Sequence, residues 1–328
     1  MKRLSTILLF LGSFAVSDAQ YLWDYGIQLG GANYLGDIGG VDQSRRDFIF
    51  DMRVGDTRYV AGAYIRRRIS RSFNVKLSAS YARIQGNDER TTDYAPRRAR
   101  NLNFTNNIKE LALQTEFTLY TDNDFGGRGL YNPNFRVYGT AGVAGFLHNP
   151  RGTYVGSDPD FQGMTADLRP LRTEGQAEEY KSWGISVPMG FGFYFTYNRK
   201  LRLGWEIGHR LTFTDYIDDI STVYATDAEL DNDAMRIAFA NQTTPEVIAS
   251  SFPGEPSQIW NYDYPANYSP DSKRNPRGIE ANSDGYVYMT LSAGLIIQKK
   301  SSSFKAKKRR YGWLKGKVKK KRKTRAKF

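Results

Sequence analysis

Residues 184–213 read GISVPMGFGFYFTYNRKLRLGWEIGHRLTF, and the period of that stretch decides the fold. Ile185, Val187, Met189, Phe191, Phe193 and Phe195 fall on one phase, against Gly184, Ser186, Pro188, Gly190, Gly192 and Tyr194 on the other. Beyond Asn198-Arg199-Lys200 the alternation resumes, with Leu201, Leu203, Trp205, Ile207, Leu211 and Phe213 opposite Arg202, Gly204, Glu206, Gly208, Arg210 and Thr212. A period of two belongs to strands, and two such runs joined by a three-residue turn make a hairpin with one apolar face.

The same pattern recurs along the chain. Phe73, Val75, Leu77, Ala79 and Tyr81 alternate with Asn74, Lys76, Ser78 and Ser80; Val287, Met289, Leu291, Ala293, Leu295 and Ile297 alternate with Tyr286, Tyr288, Thr290, Ser292 and Gly294. Eight strands are predicted: 25–36, 58–69, 73–83, 108–120, 134–147, 183–197, 201–214 and 284–298. The connections 70–72 and 198–200 are tight and 121–133 is moderate, whereas 37–57, 84–107, 148–182 and 215–283 are long. An even strand count, alternating short turns and long loops, and a continuous apolar row are the marks of an eight-stranded antiparallel transmembrane β-barrel with four long outer loops. A soluble lipocalin-like barrel would turn the apolar face inward. The small and charged residues of the other face suit a narrow interior better than a solvated exterior, because eight strands leave room only for their own side chains. Arg67 and Arg83 share the apolar phase near strand ends, where they can snorkel; His209 in the same phase suggests a bulge or an interface.

The chain has 328 residues, no cysteine and a net charge of +13, which invites a nucleic-acid reading until the charge is located. Residues 299–328 hold 16 Lys or Arg and no acid, so the remainder sums to −3. Residues 1–19 carry Lys2-Arg3, a short apolar stretch and Ser17-Asp18-Ala19, the order of a secretory signal peptide. Exported protein does not meet nucleic acid, and none is expected as a partner. The domain reading is therefore signal peptide 1–19, barrel 20–298, which sums to −4, and basic tail 299–328. With eight strands both termini emerge on the periplasmic side of an outer membrane. In the tail, Lys307, Lys308, Arg309, Arg310, Lys319, Lys320, Lys321, Arg322 and Lys323, with Trp313 among them, would meet an acidic protein surface, peptidoglycan or anionic head groups. The bland alternative is a solvated, disordered tail, as runs of like charge usually are.

Chemistry has few candidates. Arg66, Arg68, Lys76, Glu110, Glu116, Glu206 and Arg210 are expected to face the lumen with both signs, as an ion-pair ladder filling the barrel or, less readily, as a solute path. His148 and His209 are far apart, and neither stands in triad spacing with a nucleophile, so no catalytic residue, cofactor or metal is expected. Asp215, Asp218 and Asp219, with Tyr216 and Ser221, form an acidic loop that could bind a hard cation. Its spacing does not match an EF-hand, and Asp and Ser also close turns through local hydrogen bonds, the favoured reading.

The run TDYIDDISTVY at 214–224 follows the strand LGWEIGHRLTF. Together with FLHNPRG at 146–152, LRPLRTEGQ at 168–176, Tyr180, NIKELALQTEFTLY at 107–120 and WDYGIQLGGANYLGDIGG at 23–40, it resembles a family of Bacteroidota outer-membrane barrels of largely unknown function. That family includes PorG-like proteins of the type IX secretion system. The resemblance implies a non-enzymatic barrel associated with a periplasmic PorK and PorN ring, and a contact with outer-membrane lipid. A stand-alone barrel that holds a ligand with its surface loops is the alternative.

Overall fold

The computed structural model describes residues 21–39, 52–91, 95–123, 133–197, 200–252, 276–278 and 283–298. Ten strands are present among them: β1 (Tyr21–Leu35), β2 (Arg58–Arg68), β3 (Phe73–Asn87), β4 (Asn103–Asn123), β5 (Pro133–Leu147), β6 (Pro150–Thr153), β7 (Thr165–Asp167), β8 (Trp183–Tyr197), β9 (Leu201–Thr212) and β10 (Gly285–Gln298). Eight of these pair in the order β1-β2-β3-β4-β5-β8-β9-β10, each antiparallel to its neighbours, and β10 pairs back onto β1. The sheet is closed, which removes the unpaired edges that an open sheet must protect.

All eight predicted strands are found, with 183–197 matching β8 residue for residue. The differences lie at the ends. β1 begins at Tyr21 rather than residue 25, which brings Asp24 into the sheet. β3 and β4 run on past the predicted hairpin, from the pair Phe73↔Phe117 to Asn87↔Asn103. β6 and β7 lie within the predicted loop 148–182 and extend the loop end of β4, through Thr105↔Arg151. His209 marks no bulge, contrary to expectation, since β9 keeps an unbroken register with both β8 and β10 across it. His209 pairs with Val287 on β10, and its ring reaches along to Gly285, two residues away, where a Cβ would stand 2.9 Å from the His209 Nε2.

The apolar phase points outward. Ile27, Leu29, Leu111, Val143, Phe191 and Leu291 are each more than half exposed. On β10 the outward row Met289, Leu291, Ala293, Leu295 and Ile297 covers roughly 20 Å along the barrel axis, given ~3.3 Å per residue and a ~40° tilt, close to the ~25 Å of a membrane-facing band. A belt of that size greatly exceeds the apolar patches that soluble monomers carry. Among the described residues no helix is long and apolar enough to cross a membrane; the strands are what would cross.

The interior is layered. From the turn end to mid-barrel it is polar, lined by Asp24, Arg66, Asn74, Lys76, Gln114, Glu116, Arg136 and Glu206. At the loop end it becomes apolar, where Ala32, Val60, Ala82, Ile84, Phe104, Ile108, Phe146, Tyr286 and Tyr288 form a core with Ile217 and Ile220 from the loop after β9. The inward face is therefore not uniformly polar or small, as alternation suggested. Near the mouth it is a hydrophobic socket into which a loop is seated.

Candidate functional site

The lumen is filled by paired charges. Arg66 holds Glu116 at 2.8 Å and Asp24 at 3.5 Å, and Asn74 Nδ2 donates to the other Glu116 oxygen at 3.0 Å. Lys76 Nζ donates to both Glu206 oxygens at 2.8 and 2.6 Å, and Tyr138 donates its hydroxyl to Glu206 at 2.8 Å. Nearer the loops, Arg210 lies 3.5 Å from Glu110, which also accepts from the Tyr286 hydroxyl at 2.8 Å, and the Arg210 guanidinium sits 4.1 Å over the Tyr288 ring. Each carboxylate takes more than one partner, which is the condition under which a buried ion pair offsets the cost of desolvating it. Arg68 is placed apart from these pairs, at the turn, where its Nε donates to Ser70 O at 3.1 Å.

Above the apolar socket the loops are knitted together by the TDYIDD segment. The Tyr34 hydroxyl lies 2.6 Å from Asp218 Oδ2 and 2.5 Å from Asp284 Oδ1, and the Asp37 N–H donates to the Tyr34 hydroxyl oxygen at 3.1 Å. A hydroxyl has one proton to give, so one of the two carboxyls carries its own proton and donates it to Tyr34. Burial, with Asp37 nearby, pushes the Asp218 carboxyl up to about 7, and burial with Asp218 and Asp215 nearby raises Asp284 well above the usual carboxylate range. Asp218 also accepts from the backbone of Ile38 and Ile220, at 3.1 and 3.0 Å, and Asp284 from Ile217 N at 2.9 Å.

Asp219 faces the other side. It accepts from the hydroxyls of Thr173 and Tyr180, the latter at 2.7 Å, and lies 3.6 Å from Arg277. Burial lifts it to about 6 even though Arg277 pulls the other way. Arg277 also donates to Glu174 at 3.2 Å and to the Asp219 carbonyl at 2.6 Å. Glu174 in turn accepts from the N–H groups of Ser221 and Thr222, at 2.9 and 3.1 Å. Arg100 completes the tie, bound to both Asp88 oxygens at 2.7 and 3.0 Å and donating to the carbonyls of Asp37 and Arg277. All four long connections contribute to this cap.

The acidic loop thus works as a fastener. Among the described residues no group of three or more His, Asp or Glu is placed to hold a metal ion. Tyr216 stacks on Tyr180 at 4.7 Å, and Tyr180 on His148 at 6.2 Å, both nearly parallel. Burial lowers His148 to about 4, so its ring is neutral at pH 7, and no hydroxyl or carboxylate of the described residues hydrogen-bonds to it. Sequence reasoning missed Asp24, Arg136 and Arg202 in the lumen, and Glu174, Arg277, Arg100 and Asp284 in the cap. Arg202 stood in the inward phase and could have been chosen; Asp24 fell outside the predicted strand. The cap partners are brought together from positions as far as 250 residues apart, with no periodic signal. The tail residues Lys307 to Lys323 lie outside the described residues.

The apolar outer belt, the closed eight-stranded sheet and the charge-filled interior define a membrane-type β-barrel. The family is identified independently: a model described as a domain of unknown function, DUF6089, matches residues 2–237, and the chain belongs to that family. No curated protein matches it. Among solved structures it is similar to the attachment invasion protein Ail of Yersinia pestis, at 9% identity, covering 84% of this chain and 99% of that one with a TM-score of 0.32. It is also similar to the Pseudomonas aeruginosa outer-membrane protein OprG, at 12% identity, 86% and 99% coverage and a TM-score of 0.30, and to Neisserial surface protein A, at 8%, 84%, 97% and 0.32. At these scores the likeness adds nothing to what the strand order shows.

Proposed function

We propose that this protein is a non-enzymatic outer-membrane barrel that serves as an anchor of a type IX secretion machinery. In this reading its short turns and basic tail face periplasmic ring proteins of the PorK and PorN kind, with outer-membrane lipid around its belt. The observation that carries the reading is the filled interior: ion pairs occupy the lumen and Ile217 and Ile220 close the mouth, so a barrel built this way works through its surfaces rather than as a conduit. The family resemblance suggests the machinery, and the tail's 16 cationic residues supply a contact for an anionic partner.

Deletion of 299–328 in cells tests it. The expected outcome is normal membrane insertion, read by heat-modifiable gel migration and outer-membrane fractionation, with lost co-purification of periplasmic partners and impaired secretion. Persistence of both partner recovery and secretion rules out the tail-mediated contact, and recovery of the protein in the soluble periplasm rules out the location.

A further inference from the structure

The apolar belt ends on the loop side in a rim that is charged along one arc. On β4 the outward residues Leu111, Leu113, Phe117 and Leu119 are headed by Lys109, and on β3 Leu77 and Tyr81 are headed by Arg83; both cations are exposed. Arg83 pairs with Asn107 and Tyr81 with Lys109, so Arg83 and Lys109 are diagonal neighbours on the outer face, ~7–8 Å apart. Two strands further round, exposed Lys181 precedes β8, and its ammonium lies 5.3 Å from the centre of the exposed Trp183 ring. β9 reaches the same rim with Leu211 and then Phe213, exposed and uncharged.

Arginines of the loops are matched with carboxylates: Arg90 holds Asp56, Arg151 holds Asp167 and Arg169 holds Glu179. Among the described residues Arg83, Lys109 and Lys181 hold none. Like charges on neighbouring strands repel, and beside a hydrocarbon layer there is less water to screen them, so an anion seated between them relieves a cost as well as adding attraction. Aromatic rings fix the depth. Tyr81, next below Arg83, packs on Tyr59 at 6.2 Å, and Trp183 lies below Lys181, the placement rings take where acyl chains give way to head groups. The sheet sets the spacing: Lys109 and Trp183 both pair with Leu147 on β5, so they stand two strand widths, ~10 Å, apart.

From this we infer that the β3–β8 arc of the loop-side rim binds the head group of an outer-leaflet lipid that carries two phosphates. Arg83 and Lys109 take one phosphate and Lys181 the other, with the acyl chains lying along the apolar rows of β4 and β5. Arginine offers a phosphate its planar fork, and the lysines act as point charges. A lipid is the partner rather than a soluble polyanion because the cations stand directly above exposed apolar rows, which a water-soluble ligand would leave uncovered. The site depends on the barrel's outer face and holds or fails separately from the secretion reading.

Bisphosphorylated lipid A is the probe, titrated into the refolded full-length protein in neutral detergent micelles, with retained lipid read by native mass spectrometry. The native protein retains it, and monophosphorylated lipid A needs roughly tenfold more for half-saturation. Arg83→Gln with Lys109→Gln raises half-saturation for the bisphosphorylated lipid roughly tenfold or more, although it keeps the basic tail. Lys181→Gln weakens the bisphosphorylated lipid to the level of the monophosphorylated one and leaves the latter unchanged. All three side chains are exposed, so the variants keep heat-modifiable migration. A native protein that retains no lipid, or that holds the two lipids equally, overturns the site. So does a double variant that retains lipid as the native protein does, which places binding on the tail or the turns. Displacement of the lipid by an equal concentration of a heparin oligosaccharide also overturns it, marking a soluble-glycan surface instead.

Discussion

Replacing Arg277 with methionine should open the cap while leaving the barrel closed. Arg277 is 3% exposed and binds Glu174, the Asp219 carbonyl and the Asp219 carboxylate, so it ties the connection before β8 to the one after β9. Removing one member of a buried ion pair typically costs ~3–5 kcal/mol because the partner charge is left uncompensated. Here both carboxylates keep other donors, Ser221, Thr222 and Tyr216 for Glu174, and Thr173 and Tyr180 for Asp219. The low end, about 3 kcal/mol, therefore applies, and at ~1.4 kcal/mol per tenfold it raises the cap's opening equilibrium roughly 150-fold. Hydrogen exchange of the Ile217, Ser221 and Thr222 amides, all donors to cap carboxylates, measures it directly. Exchange there should accelerate by about two orders of magnitude, with the strand amides of β1 and β10 unchanged. Unaltered protection at Ser221 and Thr222 would refute the claim that Arg277 holds the cap. Parallel loss in β1 would show that cap and barrel open as one unit.

Cap stability should also fall as pH rises. Asp218, raised from 3.8 to about 7, and Asp284, raised further in direction, are acids whose folded form favours the proton. Their stabilisation is complete below the ordinary carboxylate range and is lost as pH passes through about 7, so exchange or proteolysis of the cap should increase between pH 4 and 8. The groups facing this pair are Tyr34, Asp37, Asp215 and Arg100, and an Asp218→Asn variant should flatten the slope. In the lumen, Lys76→Met alone should lower stability by ~3–5 kcal/mol through the stranded Glu206, while Lys76→Met with Glu206→Leu should recover most of it; heat-modifiable migration in a double-mutant cycle measures both. Planar-bilayer recordings should find no large, stable conductance, because the Lys76–Glu206 and Arg210–Glu110 pairs occupy the lumen and the mouth is packed.

The barrel could be read from the chain because its signal repeats every two residues. In β8 and β9 each outward apolar residue follows an inward small or polar one, and the boundaries emerge within two residues. Where alternation is diluted the reading fails: Tyr21 to Asp24 mixes aromatic, aliphatic and acidic residues, so β1 began late and Asp24 was lost. β6 and β7, of four and three residues, are too short to show a period. The acidic segment after β9 reads from the sequence as a turn closed by its own Asp and Ser side chains, or as a cation loop; that it ties distant loops together is not legible there, because its partners are remote. Glu174 and Arg277 are 103 residues apart, and nothing local announces that they meet. The inward charges Arg66, Lys76, Glu110, Glu116, Glu206 and Arg210 were placed by phase alone, while their pairing depended on strand tilt and register across the barrel.

The Tyr34 hydroxyl belongs to the first strand, and Asp284 immediately precedes the last. Those two strands meet at the seam where the two ends of the chain's sheet join, and Asp218 completes the cluster that spans it. The bond cannot form on an unzipped sheet. The Tyr34 phenol is thus a reporter of circularisation: a molecule in which it holds Asp284 is one whose first and last strands lie side by side.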